Sequence, residues 1–317
     1  MFKNKIHTMN NNDYDMDMDT LNVYSTTWKY YLEHYRKKRN WNVENWVNKK
    51  SQNFNKYLKK HGLSAAVVSV SGGIDSAVVY ALLKYTQKLP DSNLHKVLPL
   101  SQPIHSSNWA LDRARELCYN YTEDLIIIDQ SEFHTQLVTN IGRSSNNSVS
   151  VNGSNDFTTG QLKSYMRTPV NYYIAQLLTQ EGFPAIVAGT GNRDEDEYLG
   201  YFCKYGDGAV DVLFIEDLHK SQVYEVAEYL NVPKSIIDAA PSADLWPGQE
   251  DEIELGIPYD FVEFYVGYFL CLSETAQNNL KKTLLLESYT EFDKFSKKCD
   301  EMYKRNKHKL SGPVKLM

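Results

Sequence analysis

The sequence has 317 residues, a formal net charge of −6 and 42% hydrophobic residues, a composition typical of globular proteins. The acidic balance and the short basic runs argue against a general nucleic-acid-binding protein. No stretch approaches the ~20 apolar residues of a membrane span, and the N-terminus lacks an apolar signal region. The four cysteines have neither metal-ligand nor disulfide-framework spacing. We therefore expect a cytoplasmic protein with free thiols and with no nucleic-acid or membrane partner.

The N-terminal region divides into a polar segment and a helical extension. Residues 1–25 are repetitive and offer little apolar area, so we expect them to be disordered or peripheral. Helical periodicity then predicts N-terminal helices within 26–62. Gly62 is the expected C-terminal cap of the second of these helices.

From residue 63 onward, short β-branched runs alternate with helical patterns. The predicted strands are 65–70, 96–100, 125–129 and 184–188. The predicted helices cover 76–88, 108–121, a stretch ending near 141, 161–179 and 221–230. This alternation is typical of an α/β fold with a doubly wound, Rossmann-like parallel sheet, which we place in a single domain over 63–290. Residues 291–317 form a C-terminal tail. Ligands in such folds bind beyond the carboxyl ends of the strands.

A glycine-rich loop, Ser71–Ser76, lies between the first predicted strand and its helix. Gly72 and Gly73 allow a tight turn and close approach to an anion, and the N–H groups that open the helix favour negative charge. Asp75 would repel phosphate directly, so its expected partner is Mg²⁺. A strand-to-helix turn without a ligand is the alternative.

The loop Ser-Gly-Gly-Ile-Asp-Ser lacks the lysine of the GxxxxGKS/T pattern, so it is not a Walker loop. It resembles the pyrophosphate-binding loop of the N-type ATP pyrophosphatases. Members of that superfamily cleave ATP between the α and β phosphates and adenylate an acceptor oxygen. The loop alone does not select one family among them.

Later segments narrow the resemblance to one family. They are 188–197, 200–211, 217–223, 240–246 and 251–260. Their order and residues resemble NAD synthetase, whose members carry GTGN…E, FxKYGDGxxD, LxKxQV, PTADLW and DExxLGxxYD blocks and an adenine nucleotide alpha hydrolase-like fold. The resemblance extends from about residue 43 to 268, with a weaker match at His308 and Lys309. Considered alone, the acidic run 194–197 could equally be a solvated helix start.

The resemblance implies a role for particular side chains. Asp75 and Glu195 would bind Mg²⁺ and, with Lys220, form the catalytic set, while Asp194 and Asp196 remain alternatives to Glu195. The implied ATP-binding residues are Ser71, Gly72, Gly73, Ile74, Asp75, Ser76, Arg167, Thr190, Lys220 and Ser242. The implied deamido-NAD⁺-binding residues are Tyr165, Lys204, Asp207, Asp211, His308 and Lys309. Each assignment has a plainer alternative. Lys204 and Lys220 could be ordinary surface lysines, and Asp207 could serve only the Gly-Asp-Gly turn. His308 could be one more residue of a basic tail.

One position departs from the family pattern. The family commonly has NxKxRxR before the long helix, whereas this chain has Tyr165 in place of an arginine that helps bind the dinucleotide. We expect some acceptor contacts to come from elsewhere, including a partner subunit, because the resembling NAD synthetases are homodimers. The helix near Tyr172, Tyr173 and Leu177 is apolar on more than one side, which is typical of a helix with two packing partners.

The implied reaction is the ATP-dependent amidation of deamido-NAD⁺ through an adenylated intermediate, giving NAD⁺, AMP and pyrophosphate. Mg²⁺ and the loop would stabilise the departing pyrophosphate. Only 70 residues precede the loop, fewer than a domain of ~100–200 residues needs, so we expect ammonia rather than glutamine as the nitrogen donor. Two alternatives are another adenylating enzyme, such as a tRNA thiolase, and a dinucleotide-binding homologue with impaired catalysis. The absence of paired cysteines and of a basic surface disfavours the first, and the intact loop disfavours the second.

Overall fold

A computed structural model of the protein describes residues 25–145, 148–151, 155–246, 248–313 and 316. The polar segment predicted at the N-terminus lies outside these residues apart from its last one. The chain forms two compact units. Of the described residues, the larger unit holds those within 43–196 and 201–254, and the smaller unit holds 25–42, 197–200 and those from Leu255 onward. The domain boundaries expected at 62/63 and 290/291 remain predictions.

The helices and strands are as follows in chain order. The α-helices are α1 (Trp28–Lys38), α2 (Val43–His61), α3 (Ile74–Gln87), α4 (Asn108–Asn120), α5 (Ser131–Ser144), α6 (Asp156–Gln180), α7 (Lys220–Tyr229), α8 (Lys234–Ile237), α9 (Asp251–Leu255), α10 (Tyr259–Val262), α11 (Glu274–Thr283) and α12 (Leu286–Asn306). The strands are β1 (Ala65–Ser69), β2 (Lys96–Ser101), β3 (Ile126–Ile127), β4 (Ala185–Asn192) and β5 (Val212–Ile215). Asp194–Leu199 and Glu263–Tyr268 are π-helical, and Phe269–Cys271 and Lys307–Leu310 are 3-10 helical.

The five strands of the larger unit form one sheet in the order β3-β2-β1-β4-β5, and every neighbouring pair is parallel. Val67 of the central strand lies beside Leu98 on one side and Val187 on the other. The first four residues of β1 are fully buried, as the β-branched run predicted, because helices cover the sheet. The predicted α/β fold with a parallel sheet is confirmed. The chain reverses its direction of travel through the sheet between β1 and β4, which creates a topological switch point.

Packing beside β1 and β4 holds α6 in place. A buried cluster joins the strands to the C-terminal half of that helix through Val67, Val187, Ala175 and Leu178. Helix α2 ends at Gly62, whose φ of +65° confirms the predicted cap. Apolar contacts in the larger unit thus hold α6 against the two strands that flank the switch point.

The smaller unit has an aromatic core. Trp28 packs edge-on against Phe261 at 5.3 Å between ring centroids, and Phe292 packs edge-on against Phe269 at 4.8 Å. The buried carboxylate of Glu263 accepts hydrogen bonds from Arg36 and Arg39, so its charge is paired. Within the described ranges, no helix combines the length and the apolar character needed to cross a membrane.

Candidate active site

A cavity of about 160 Å³ lies in the larger unit at the carboxyl ends of β1 and β4. This is smaller than the ~300–1,000 Å³ of a site that encloses a drug-sized ligand, so it accommodates part of a nucleotide rather than all of it. The cavity is lined by the loop Ser71–Ser76 and by Trp109, Arg113, Thr190, Gly191, Glu195, Asp196, Tyr201, Asp207, Ile236, the segment Ala239–Ala243 and Asp251. Residues from several separate sequence motifs therefore come together at the switch point of the sheet.

The glycine-rich loop wraps tightly around the start of α3. Gly72 has a φ of +87°, and a Cβ there would overlap the carbonyl of Ala110, so helix α4 packs directly on the loop backbone. The Ser76 hydroxyl donates to Gly73 O at 2.9 Å and accepts from Ser71 N at 3.2 Å. These bonds fix a turn whose following helix presents N–H groups that attract an anion.

Lys220 joins the two carboxylates predicted to bind metal. Its Nζ lies 2.6 Å from Asp75 Oδ2 and 3.0 Å from Glu195 Oε1, and its side chain is buried. Burial alone would lower the pKa of Lys220, but the charges of Asp75 and Glu195 outweigh burial and raise it. Asn192, at the end of β4, donates to Asp75 Oδ1 and accepts from the backbone N–H of Glu195, so it links the Asp75 carboxylate to the backbone that carries Glu195.

The side chain of the neighbouring Asp194 has different partners from that of Glu195. It is fully buried and accepts hydrogen bonds from Lys220 N at 2.7 Å and from His219 Nδ1 at 2.6 Å. Arg193 Nη1 lies 3.2 Å from His219 Nε2. Since arginine only donates, Nε2 accepts and the imidazole proton sits on Nδ1. Asp194 therefore supports the start of α7, and with it Lys220.

Asp196 reaches the cavity together with Glu195. Its carboxylate lies against Gly191, where a Cβ would overlap it. Burial, and then the neighbouring Glu195 charge, raise the pKa of the Asp196 carboxyl well above its usual value. Of the three adjacent acids, Glu195 and Asp196 face the cavity and Asp194 faces away from it.

The carboxylates fit a magnesium ion that arrives with a nucleotide. Among the residues that the structure describes, no group of three or more His, Cys, Asp or Glu side chains is arranged to hold a metal by itself. Mg²⁺ commonly uses one or two carboxylates together with substrate phosphates and water. Asp75 and Glu195 beside the loop match that donor set.

Two further predicted ATP-binding residues, Thr190 and Ser242, also line the cavity, but Arg167 is not among the lining residues. Arg167 Nε donates to the carbonyl of Gln102, just beyond β2. Ser242 belongs to a braced segment: its hydroxyl accepts from Asp244 N, and Asp244 accepts from both N and Oγ of Ser107.

The first turns of α6 also support this segment. Lys163 is 6% exposed, and its Nζ donates to the carbonyl of Leu245 at 2.6 Å. No carboxylate among the described residues lies within ion-pair distance of it. Burial, and then the charge of Arg167, lower the pKa of Lys163. Gly160 lets the side chains of Leu245 and Trp246 pack closely on the same turn of the helix.

The next residues of α6 support the segment predicted to bind the acceptor. Ser164 Oγ donates to Asp207 Oδ1 at 2.7 Å, and the Thr168 hydroxyl bonds the carbonyls of Tyr205 and Gly206. One helix therefore contacts the segments of both predicted substrates, through residues that lie one to eight positions apart in α6.

The predicted acceptor residues are more dispersed than the ATP residues. Asp207 lines the cavity, whereas Asp211 accepts hydrogen bonds from Val187 N at 2.8 Å and from the Tyr172 hydroxyl at 3.1 Å. Tyr165 is half-exposed on α6, and the Lys204 amine lies 5.6 Å from the ring of Tyr205. Asp211 thus already has two partners within its own unit.

His308 and Lys309 belong to the smaller unit, in the 3-10 turn Lys307–Leu310. Lys309 Nζ donates to the carbonyl of Gly200 at 3.0 Å, and His308 Nδ1 lies 3.0 Å from the carbonyl of Arg305. Their role toward a substrate remains a prediction.

Several cavity residues were not predicted from the sequence: Trp109, Arg113, Tyr201 and Asp251. A usable signal existed for the first two, because they lie in the opening turns of the helix that follows β2, the neighbour of β1. Tyr201 donates to Glu254 at 2.6 Å, a contact between segments 53 residues apart that no local pattern indicates.

Comparison with known proteins gives the same family throughout. The family model described as NAD synthase matches residues 46–313. The NH(3)-dependent NAD(+) synthetase of Alkaliphilus oremlandii is 35% identical over 210 residues, which cover 66% of this chain and 79% of the relative. That of Picrophilus torridus is 34% identical over 253 residues, covering 80% and 87%.

Solved structures are also similar. An NMN synthetase from Francisella tularensis aligns with a TM-score of 0.69 at 26% identity, covering 87% of this chain and 99% of that one. An NH3-dependent NAD synthetase from Campylobacter jejuni aligns with a TM-score of 0.63 at 23% identity, covering 87% and 100%, and supports the fold alone. On the family match and on the identity shared with these relatives, the chain belongs to the NAD synthase family.

Proposed function

We propose that this protein is an ammonia-dependent NAD⁺ synthetase of the cytoplasm, an AMP-forming ligase that amidates deamido-NAD⁺. The observation that carries the proposal is the cavity at the switch point, where the phosphate-type loop Ser71–Ser76 meets Asp75 and Glu195. Lys220 lies between these two carboxylates. Family membership and the ammonia-dependent relatives support the reaction class and the nitrogen donor.

In this proposal the loop binds the β and γ phosphates of ATP. The N–H groups at the start of α3 and the hydroxyls of Ser71 and Ser76 donate to the phosphate oxygens. Asp75 and Glu195 would hold Mg²⁺, which when bound would supply charge neutralisation for the leaving pyrophosphate. Lys220 then turns from the carboxylates to the phosphates.

The acceptor carboxylate attacks the α-phosphorus, and the bond from that phosphorus to the β-phosphate bridging oxygen breaks. Ammonia then attacks the acyl carbon, the bond to AMP breaks, and one proton is released. Asp207 lies at the cavity on the acceptor side, where Ser164 and the backbone of Cys203 fix its orientation. Holding the acceptor in place in this way lowers the entropy cost of bringing the reacting groups together.

The test is a product balance with the purified chain. With deamido-NAD⁺, ATP, Mg²⁺ and ammonium chloride, we expect NAD⁺, AMP and pyrophosphate in equal amounts. Glutamine in place of ammonium is expected to give negligible NAD⁺. ADP and phosphate as products, or efficient use of glutamine by the pure chain, would contradict the proposal.

A second candidate is amidation of the mononucleotide, nicotinic acid mononucleotide, by the same chemistry. Two observations favour it: Tyr165 stands where the family has a dinucleotide-binding arginine, and the similar Francisella protein is an NMN synthetase. The ratio of kcat/KM for the two acceptors separates the candidates. If the mononucleotide is preferred, Tyr165→Arg is expected to shift the ratio toward the dinucleotide.

The proposed assembly is a homodimer that uses α6. Tyr173 and Leu177 of this helix are 65% and 39% exposed, whereas Tyr172 is bound to Asp211 within its own subunit. A two-fold interface would place the same face of both copies in contact. Light scattering is expected to give a dimer for the wild type and a monomer for Tyr173→Glu with Leu177→Glu. The matched control is Tyr119→Glu, also exposed, and a monomeric, fully active wild type would contradict the assembly.

A further inference from the structure

The cavity contains a guanidinium group with no role in the proposal above. Arg113, in the second turn of α4, lines the cavity beside the loop Ser71–Ser76. Its guanidinium carbon lies 4.4 Å from the centroid of the Trp109 ring, a stacked arrangement. Among the residues that the structure describes, Arg113 makes no hydrogen bond or ion pair.

The position of α4 relative to the loop is fixed by backbone contact. A Cβ at Gly72 would overlap the carbonyl of Ala110, so the helix approaches the loop as closely as the backbone allows. Ala110 lies one residue after Trp109 and three before Arg113. Contact at Ala110 therefore holds both side chains at the mouth of the loop rather than on the far side of the helix.

Apart from Arg113, the charged side chains that line the cavity in the described chain are acidic. Apart from the phenol of Tyr201, the other ionisable groups that line it in the described chain are carboxyl groups, namely Asp75, Glu195, Asp196, Asp207 and Asp251. The nearby Lys220 is already paired with two of them. In the proposed function Lys220 becomes available to phosphate only when Mg²⁺ takes over these carboxylates. Arg113 lines the cavity without a carboxylate partner among the described residues, so it can meet an entering polyanion directly.

We infer that Arg113, held in place by the ring of Trp109, binds the pyrophosphate portion of ATP and the released pyrophosphate. A guanidinium can donate two parallel hydrogen bonds to phosphate oxygens, which a lysine cannot do. Trp109 acts as a positioning residue, since stacking on an aromatic face restricts the side chain before the ligand arrives. The inference rests on the proposed function for the identity of the nucleotide, but pyrophosphate binding can be measured without turnover.

Inorganic pyrophosphate with Mg²⁺ is the probe, and its Kd is measured by titration calorimetry on the whole chain. Arg113→Ala is expected to weaken binding at least tenfold, which corresponds to about 1.4 kcal/mol. Arg113→Lys is expected to recover part of this loss, and Trp109→Ala to weaken binding about threefold. The matched control is Arg115→Ala on the same helix, because Arg115 is exposed and paired with Asp112.

Steady-state kinetics give the second readout. The inhibition constant of pyrophosphate against ATP should rise with the Kd in Arg113→Ala, while the KM for the acceptor stays within twofold of wild type. An unchanged Kd in Arg113→Ala, with a melting temperature like that of wild type, would overturn the inference. So would a rise in the acceptor KM alone, because Arg113 would then belong to the acceptor.

Failure of the proposed function gives a different pattern. A wild type that makes no amide but binds pyrophosphate, with tenfold weaker binding in Arg113→Ala, would reject the reaction and keep the inference. Normal amidation with an unaffected Arg113→Ala would keep the reaction and reject the inference. If Arg113→Ala does not fold, Arg113→Lys decides between the same outcomes.

Discussion

The ATP part of the candidate site and the acceptor part are built differently. The ATP part is built mainly on loops that directly follow two adjacent strands, β1 and β4, and most of its predicted residues, though not Arg167 or Lys220, line one cavity. The predicted acceptor residues come from α6, from the segment 204–211 and from a tail in the other compact unit. One of them, Asp211, is already bonded to Val187 and Tyr172.

This difference separates the part of the site that would carry out the ATP chemistry from the part that would recognise the acceptor. The sheet topology brings the loop and the carboxylates together, and Asp194 supports Lys220 beside them. This arrangement therefore depends little on which acceptor is bound. Acceptor recognition depends on side chains carried by separate elements, which can change without disturbing the phosphate site. A tyrosine at position 165 is such a change.

The largest expected effect concerns Glu195, on the ATP side. Glu195→Gln removes one charge from the pair that holds Lys220 and that is proposed to hold Mg²⁺. We expect kcat to fall at least tenfold, about 1.4 kcal/mol in the barrier, in steady-state assays at saturating Mg²⁺. Asp293→Asn, which changes an exposed carboxylate paired with Lys297, is the matched control and should leave kcat unchanged.

An unchanged kcat in Glu195→Gln would move the metal role to Asp196, the adjacent acid that also faces the cavity. A rise in the acceptor KM alone would show that the two parts of the site are not separable at this residue.

A smaller effect is expected at Lys163, which holds the carbonyl of Leu245 near the ATP-side residue Ser242. Lys163→Met removes that charged hydrogen bond, and we expect the KM for ATP to rise about fivefold, close to 1 kcal/mol. The melting temperature should not fall, because a buried amine without a carboxylate is replaced by an apolar chain. The adjacent Ser164→Ala provides the comparison and should raise the acceptor KM instead. If each variant changed the KM for ATP and the KM for the acceptor equally, the separation into an ATP part and an acceptor part would be contradicted.

The smallest effect is expected at Tyr172, whose hydroxyl bonds Asp211. Tyr172→Phe should lower the free energy of unfolding by about 1 kcal/mol in urea denaturation and change the acceptor KM less than twofold. Tyr173→Phe is the control, since Tyr173 is mostly exposed. A large rise in the acceptor KM with an unchanged free energy of unfolding would instead indicate that Asp211 binds the acceptor.

Sequence patterns predicted the features that depend on neighbouring residues. The strand-loop-helix around Ser71–Ser76 and the C-terminal cap of α2 at Gly62 follow from local periodicity and capping. Four of the five strands were predicted, but β4 extends to Asn192, so Asn192 itself braces Asp75 and Glu195. Strand β5 was not predicted, because four residues after a glycine-rich turn carry little periodicity.

Features that depend on distant contacts could not be predicted in this way. His219 and Lys220 decide which of the acids at 194–196 faces away from the cavity, because they bind Asp194 from 25 and 26 residues later in the chain. Arg113 enters the cavity only because Gly72 lets α4 approach the loop. No spacing rule within α4 or within the loop contains that information.

The contact of Lys220 with both Asp75 and Glu195 has a thermodynamic consequence. Since the ammonium group of Lys220 already contacts both carboxylates and balances one of their two charges, a divalent ion that binds there displaces it and must leave Lys220 with a new partner. The triphosphate of ATP can be that partner, so the ion and the nucleotide should bind with positive linkage. Magnesium alone is then expected to add little heat stability to the protein, and chelators to remove little, whereas magnesium with nucleotide raises the melting temperature.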